Sequence, residues 1–374
     1  MLHLAIIFFI LFIRTNLVGI ENLTAIANGL SKTFVTTANQ PAAANGELAP
    51  ADIQILDFGI AWEWEYDQHF VFKLAQACKA HGLSADLINP SAIEDTFFKY
   101  RAEKLHFRYY LDRGSDALKD FEPLAKLISA GGARIVNHYR HLKHSLDKAT
   151  MHLEFLTAGL QVPYTIILSP YKYEPEIRIT DLAKLGRSFI IKPAMGSGGT
   201  GVVVGAETLA DVLLARKSQN DQKFLLQEKI EPVMLGNERA WFRVFYVFGR
   251  TFLTWWNDVT HLYRTVKPED ENDFGLAPMR QIIRTIAALS ELDFFSAEIA
   301  LTNDGRFVVI DYVNDVCDMR PQSEHPDGVP DSLIEEIINT FVTFVTPRSL
   351  HQETGANHAV RLPKTLAAVV EKWP

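Results

Sequence analysis

The chain has 374 residues, 37 basic against 45 acidic, for a formal net charge of −8 with histidine neutral. With 48% apolar and 22% charged residues it reads as a globular protein of two or three domains, which excludes disordered and collagen-like classes, and its acidic balance supplies no general field for nucleic-acid phosphates. Cys78 and Cys317 lack the closely spaced partners of a zinc site and read as reduced thiols.

Leu4 to Ile13 is an unbroken apolar run, too short for the roughly 20 residues that a bilayer span needs. It resembles the apolar part of a signal peptide, yet no Lys or Arg precedes it and the small-residue site Ala25-Ile26-Ala27 lies far beyond it. A cytoplasmic protein is therefore expected, with membrane contact only if this segment is retained. Thr36 to Asp52, rich in Ala, Asn, Pro and Gly, reads as a flexible linker, which sets residues 1–51 apart from the folded body. Strands at Ile53–Ile60, Ser84–Ile88, Leu105–Leu111 and Arg134–Asn137 alternate with helices at Asp67–His81 and Asp120–Ser129, and this predicts a small parallel α/β domain. Ligands of such sheets bind beyond the carboxyl ends of the strands, where Arg113 and Asn137 fall; helix capping by Asp112 and Ser115 is the alternative account of the polar residues there.

Ser145 reads as the N-cap of a helix that carries Lys148 and stops at Gly159, after which Val162-Pro163 leads into a strand. Two β-rich stretches follow, Ser188–Val204 and Phe224–Trp256, separated by a helix at Leu209–Lys217. A hairpin pairs Ser296–Leu301 with Arg306–Tyr312 around Asp304-Gly305, and Val329–Val345 is a closing amphipathic helix; the tail 347–374 carries no assignment. His138, His141 and His144 recur every third residue, but helical drift spreads them and no carboxylate completes a metal set.

Gly196-Ser197-Gly198-Gly199-Thr200-Gly201 spells GxGxxG, but the dinucleotide fingerprint needs a helix after it and here Val202-Val203-Val204 follows. Strand, glycine loop and strand make a flap whose backbone N–H groups can fold over phosphates. A kinase glycine loop fits poorly, because Lys192 precedes the glycines and no HRD precedes Asp273-Phe274-Gly275; a P-loop would place Lys-Ser or Lys-Thr after them. Lys192 lies on an apolar strand, so its stem is buried and its ammonium needs a partner, which a phosphate would supply.

Glu298 and Asp311 interrupt the apolar strands SAEIAL and VVIDYV, with Asn314 three residues on. Two carboxylates on paired strands with an amide beside them suit Mg2+, which takes oxygen ligands together with substrate phosphates. Asp315 and Asp318 read as solvated loop residues.

In this order, a lysine on a helix, a second lysine before a glycine flap, a QEKI segment, and acid, acid, Asn on a closing hairpin resemble the ATP-grasp superfamily, nearest to its glutathione-synthetase-like and RimK-like branch. The resemblance covers about Ile53 to Val345 and implies an α/β fold: a parallel α/β pre-ATP-grasp domain over 52–144, then a two-lobed ATP-grasp domain over 145–346, with a central lobe at about 160–228 and a C-terminal lobe at about 229–346. It implies that Lys148 and Lys192 contact ATP phosphates and that Ser197, Gly198, Gly199, Thr200 and Gly201 form the flap. Gln227, Glu228, Lys229 and Ile230 would be the hinge whose backbone reads adenine, with Glu231 or Glu238 on the ribose. Arg243 matches the arginine near the transferred phosphate, and Glu298, Asp311 and Asn314 match the ligands of one or two Mg2+ ions, with Mn2+ as a substitute. Arg320 and Arg113 are candidates to hold the substrate carboxylate.

Two departures from the family pattern stand out. The family closes with Glu-x-Asn, whereas Asp311 and Asn314 are three residues apart and share a face only across a bulge; without one, Asp315 becomes the contender. Trp241 stands where RimK-like chains carry an acid before the arginine.

The implied activity is ligation, in which a carboxylate takes the γ-phosphoryl group of ATP and an amine, less often a thiol, displaces phosphate from the acylphosphate. The partners would be a small-molecule or peptide carboxylate and an amine acceptor, without nucleic acid; a homo-oligomer is compatible. A small-molecule kinase on the same fold and a non-catalytic ATP-binding module are the alternatives. Trp255, Trp256 and His261 to Arg264 either line the acceptor side or form core.

Overall fold

A computed structural model describes residues 53–178, 181–196 and 198–346; the apolar run, the linker, Ser197 and the tail after 346 lie outside the described residues. Strands β1 (Gln54–Trp62), β2 (Ala85–Ile88), β3 (Leu105–Arg113) and β4 (Arg134–Val136) form a parallel sheet in the order β2-β1-β3-β4. An all-parallel sheet needs cover on both faces. Helices α1 (Gln68–Ala80), α2 (Ile93–Arg101) and α3 (Phe121–Ala130) supply it: Tyr100, Phe121 and Ile128 close one face, and Phe70, Val71 and Leu74 the other.

Two short helices follow, α4 (Tyr139–Ser145) and α5 (Lys148–Thr157). The expected cap at Ser145 is corrected here. Ser145 ends α4 and donates to the carbonyls of His141 and Ser290, while Asp147 caps α5 by accepting from the N–H groups of Ala149 and Thr150. The shorter reach of a carboxylate two residues on satisfies the first turn better than a serine separated from it by a helix end.

Strands β5 (Thr165–Leu168), β6 (Phe189–Pro193), β7 (Val203–Ala206) and β8 (Phe224–Glu228) make an antiparallel sheet in the order β5-β8-β6-β7, with α6 (Leu209–Ser218) packed on Phe189, Ile191, Phe224 and Leu226 through Val212. A ribbon of β9 (Met234–Leu235) and β10 (Glu238–Arg239) leads to the largest sheet. Its strands, β11 (Trp241–Val247), β12 (Arg250–Trp256), β13 (Tyr263–Thr265), β14 (Phe294–Leu301) and β15 (Phe307–Asn314), run antiparallel in the order β13-β12-β11-β14-β15.

Helices α7 (Pro268–Asp273) and α8 (Pro278–Ser290) lie between β13 and β14. One face of the large sheet, with Phe242, Val244 and Ile299, is packed under α5 and α8. On the other face α1 and α9 (Asp331–Val345) cover only part: Phe70 and Phe341 pack against Phe294, in a core that also holds Phe245 and Val247. The remainder of that face carries the polar row described below. Among the described residues no helix is long and apolar enough to cross a membrane.

Candidate active site on the bulged hairpin

Register builds the site. Thr254, Arg243, Glu298 and Asp311 face one another in turn across β12, β11, β14 and β15, so one pleat row carries a guanidinium and two carboxylates. On β15 the pairs run Val309 to Ile299, Asp311 to Glu298 and Asn314 to Ser296. Each interval spends one more residue on β15 than on β14, so a bulge lies on either side of Asp311. The second bulge returns Asn314 to the face of Asp311, which regular pleating would forbid. The first turns the carbonyl of Ile310 out of the ladder, and the Lys192 ammonium donates to it at 3.0 Å.

Lys192 lies on β6 and is 7% exposed. Burial lowers its pKa to about 8, opposed by Asp311 and Glu298 and reinforced by Lys148; its ammonium also sits 5.3 Å from the Tyr312 ring centre. Lys148 opens α5, and its ammonium donates to the carbonyl of Gly196 at 2.8 Å. The two lysines thus stand at the root of the glycine loop. Gly198 and Gly199, at φ 60° and 71°, hold left-handed conformations there that other residues rarely adopt.

Glu298 is buried, and desolvation raises its pKa; Arg243 opposes the rise and Asp311 adds to it. Arg243 donates to one carboxylate oxygen, and the Trp241 indole N–H to the other at 3.2 Å. Trp241 therefore occupies the place where an acid was expected by orienting Glu298. Arg243 is itself stacked 4.6 Å from the Trp256 ring centre and 5.9 Å from that of Tyr263.

Among the described residues no three His, Cys, Asp or Glu side chains form a self-sufficient metal cage. Two carboxylates and an amide are instead the partial set that Mg2+ completes with phosphates and water. Buried donors beside them suit the phosphate oxygens: Asn314 Nδ2 and Arg243 Nε have no hydrogen-bond partner among the described residues, and such orphans are rare in finished structures.

Two expected roles, those of Arg113 and Arg320 as clamps on the substrate carboxylate, do not match the geometry. Arg113 is 2% exposed and spends Nε on Asp67 and Nη2 on both Asp67 and the Cys317 carbonyl, so it serves as a buried structural pair rather than a substrate clamp. Arg320 spends Nε and both terminal nitrogens on Asp318 and Asp327. Sequence separation hid Asp67, and Asp318, read as a solvated loop acid, instead pairs with Arg320. The Gln227 side chain is buried, donating to Thr165 Oγ1 and Tyr312 Oη, and Glu228 accepts from the Tyr164 N–H; only their backbones face a hinge role. Glu231 is paired with Lys229 at 2.6 Å and Glu238 with Arg264 at 3.2 Å. Asp315 is held by Asn137 and is pushed up to about 7 by burial, which turns it away from ligand duty.

A cavity of about 220 Å³ is lined by Trp256 and Tyr263, the rings stacked on Arg243, with Leu262, Arg264 and Glu238 among others. Trp255 is core and bonds Asp270, and it lines this cavity together with its half-buried neighbour Trp256. The four parts of the cavity wall come from β10, β12, β13 and the loop between them, a convergence no sequence spacing shows.

The sequence matches no protein-family model and, at a significant level, no curated protein. Solved structures do match. A RimK domain ATP-grasp protein from Sphaerobacter thermophilus superposes with a TM-score of 0.52 at 18% identity, over 77% of this chain and 99% of that one. The chain has the ATP-grasp fold. The same fold relates it to the macrocyclase MdnC from Microcystis aeruginosa, bound with its precursor peptide MdnA, at a TM-score of 0.53, 10% identity and coverage of 77% and 99%. D-alanine–D-alanine ligase from Bacillus anthracis, complexed with ATP, gives a TM-score of 0.52 at 12% identity, over 77% of this chain and 97% of that one.

Proposed function

We propose that the chain is an ATP-dependent ligase that joins a carboxylate to an amine through an acylphosphate. The observation that carries this reading is the meeting of Lys192, Arg243, Glu298, Asp311 and Asn314 at the bulged hairpin, with Lys192 reaching it from the strand that leads into the glycine loop. Fold neighbours that include a D-alanine–D-alanine ligase and a macrocyclase with its precursor peptide support it, and a small-molecule or peptide carboxylate is the corresponding substrate class.

A substrate carboxylate oxygen attacks the γ-phosphorus, the bond to the β-phosphate oxygen breaks, and ADP leaves with that electron pair. Lys148, Lys192, Arg243 and the N–H groups of residues 198–201 balance the phosphate charge, which is the main work of phosphoryl-transfer sites. Glu298, Asp311 and Asn314 would hold Mg2+ or Mn2+, which when bound neutralises charge on the phosphate oxygens. The backbone of Lys229 and Ile230 reads adenine, and Glu231 or Glu238 the ribose. An amine seated in the cavity beside Arg243 then attacks the acyl carbon, and phosphate departs with the amine proton. No protein nucleophile is needed.

The test is incubation of the purified chain with ATP, Mg2+ and a panel of carboxylates in the presence of hydroxylamine. A hydroxamate formed in step with ADP is the expected result. A phosphorylated alcohol as stable product would replace ligation by a kinase reaction, and ATP binding without turnover across the panel would leave only a binding module.

A further inference from the structure

Ser296 sits in a strand of buried apolar residues, FFSAEIAL, where alanine would pack as well. Its side chain is 0% exposed, and its hydroxyl meets only the Cys317 thiol, a weak partner, among the described residues. Directly opposite, in register across β14 and β15, stands Asn314, whose buried Nδ2 is without a partner among the described residues. Opposed residues of an antiparallel pair have Cβ atoms about 4.5–5.5 Å apart, within reach of a hydroxyl and a side-chain amide.

An amide ligand has two unlike ends, and a hard cation takes only the oxygen. Something must accept from the N–H end to keep the oxygen turned to the ion; such outer partners orient most metal ligands. Two neighbouring acceptors are engaged: the backbone carbonyl of Asn314 accepts from the Cys317 thiol at 3.4 Å, and one Asp315 carboxylate oxygen accepts from Asn137. The terminal torsion of Asn314 is soft, which lets its amide turn Nδ2 toward the opposed Ser296. We infer that Ser296 is a positioning residue that accepts from Asn314 Nδ2 and thereby turns Asn314 Oδ1 toward the divalent cation. The inference rests on the proposed role of Asn314 as a cation ligand.

Mn2+ binding in the presence of a non-hydrolysable ATP analogue, read by electron paramagnetic resonance, tests it in the full chain. Ser296→Ala should weaken Mn2+ about tenfold and leave analogue affinity without cation unchanged, and Ser296→Thr, which keeps the hydroxyl, should restore most of the loss. In an Asn314→Asp background, where a carboxylate has no N–H end to satisfy, adding Ser296→Ala should change Mn2+ affinity by less than about twofold. Equal losses in both backgrounds would reduce Ser296 to a packing role, and no loss in either would overturn the inference while leaving Asn314 as a ligand. Unchanged Mn2+ affinity in Asn314→Ala would remove the ligand role itself, and the inference with it.

Discussion

Arg243 and Glu298 oppose each other in register on β11 and β14, and the guanidinium donates to the carboxylate inside a largely dry sheet face. Burial raises the Glu298 pKa, and Arg243 and the Trp241 indole oppose that rise. Removing one member of such a pair strands the other, a loss of about 3–5 kcal/mol, whereas replacing both by apolar groups is often neutral. Arg243→Met should therefore lower unfolding free energy in urea by about that amount, and adding Glu298→Met should recover most of it. Equal or greater loss in the double variant would mean that the two side chains contribute to stability separately.

Lys192 offers the converse case. Its ammonium is buried and its pKa is depressed by that burial, so the charge contributes little to folding. Lys192→Met should leave stability unchanged or slightly raised, while weakening ATP binding by roughly ten- to a hundredfold, the worth of a charged hydrogen bond. Calorimetric titration with a non-hydrolysable analogue, beside a denaturation curve, separates the two effects. Intact nucleotide affinity would take Lys192 out of the phosphate site.

The flap and the hairpin were legible because each rests on local pattern: glycines followed by Val202-Val203-Val204, and acids set into the apolar strands around Glu298 and Asp311. The parallel sheet followed from alternation of short strands and helices, within a residue or two at most ends. What the sequence hides is register and partnership. Asp311 and Asn314 share a face only because a bulge intervenes, and a bulge has no composition of its own. Arg113 looked like a ligand-binding residue at a strand end, but its partner Asp67 enters from a separate turn. Helix α8, Pro278–Ser290, was not assigned from the sequence, although its Pro start and apolar spacing carried the signal.

Asp311 carries the next expectation. Its partner in register is Glu298, and its carboxylate faces the Lys192 ammonium electrostatically. Asp311→Asn keeps the shape and removes the charge, so ATP binding through the lysines and hinge should change by no more than a few-fold. Turnover should fall by about 10²–10³, the usual effect of deleting one element that stabilises transition-state charge. Single-turnover kinetics alongside equilibrium binding would show this split. Unchanged turnover would remove Asp311 from the metal set.

His152 sets a pH dependence of stability. It is buried on α5, its Nδ1 lies 2.6 Å from the Tyr312 hydroxyl, and that hydroxyl accepts from Gln227 Nε2 at 2.8 Å. The phenolic proton is thus free to be donated to Nδ1, which requires a neutral imidazole. Burial, aided by Lys192, pushes the His152 pKa down to about 4, against roughly 6.5 in an unfolded chain. Between those values the unfolded chain binds a proton that the native one refuses, so stability from this group is complete above pH 6.5 and drains away as pH falls toward 4. The loss is on the order of 3 kcal/mol. His152→Gln should flatten this part of the curve, because glutamine does not titrate, although it starts from a lower value at pH 7. Urea denaturation of both proteins at pH 7, 6, 5 and 4.5 measures the difference, in which other titrating groups cancel. Curves that stay parallel through this range would mean that His152 takes up a proton as readily in the native state as in the unfolded chain and that the Tyr312 contact is made in another way.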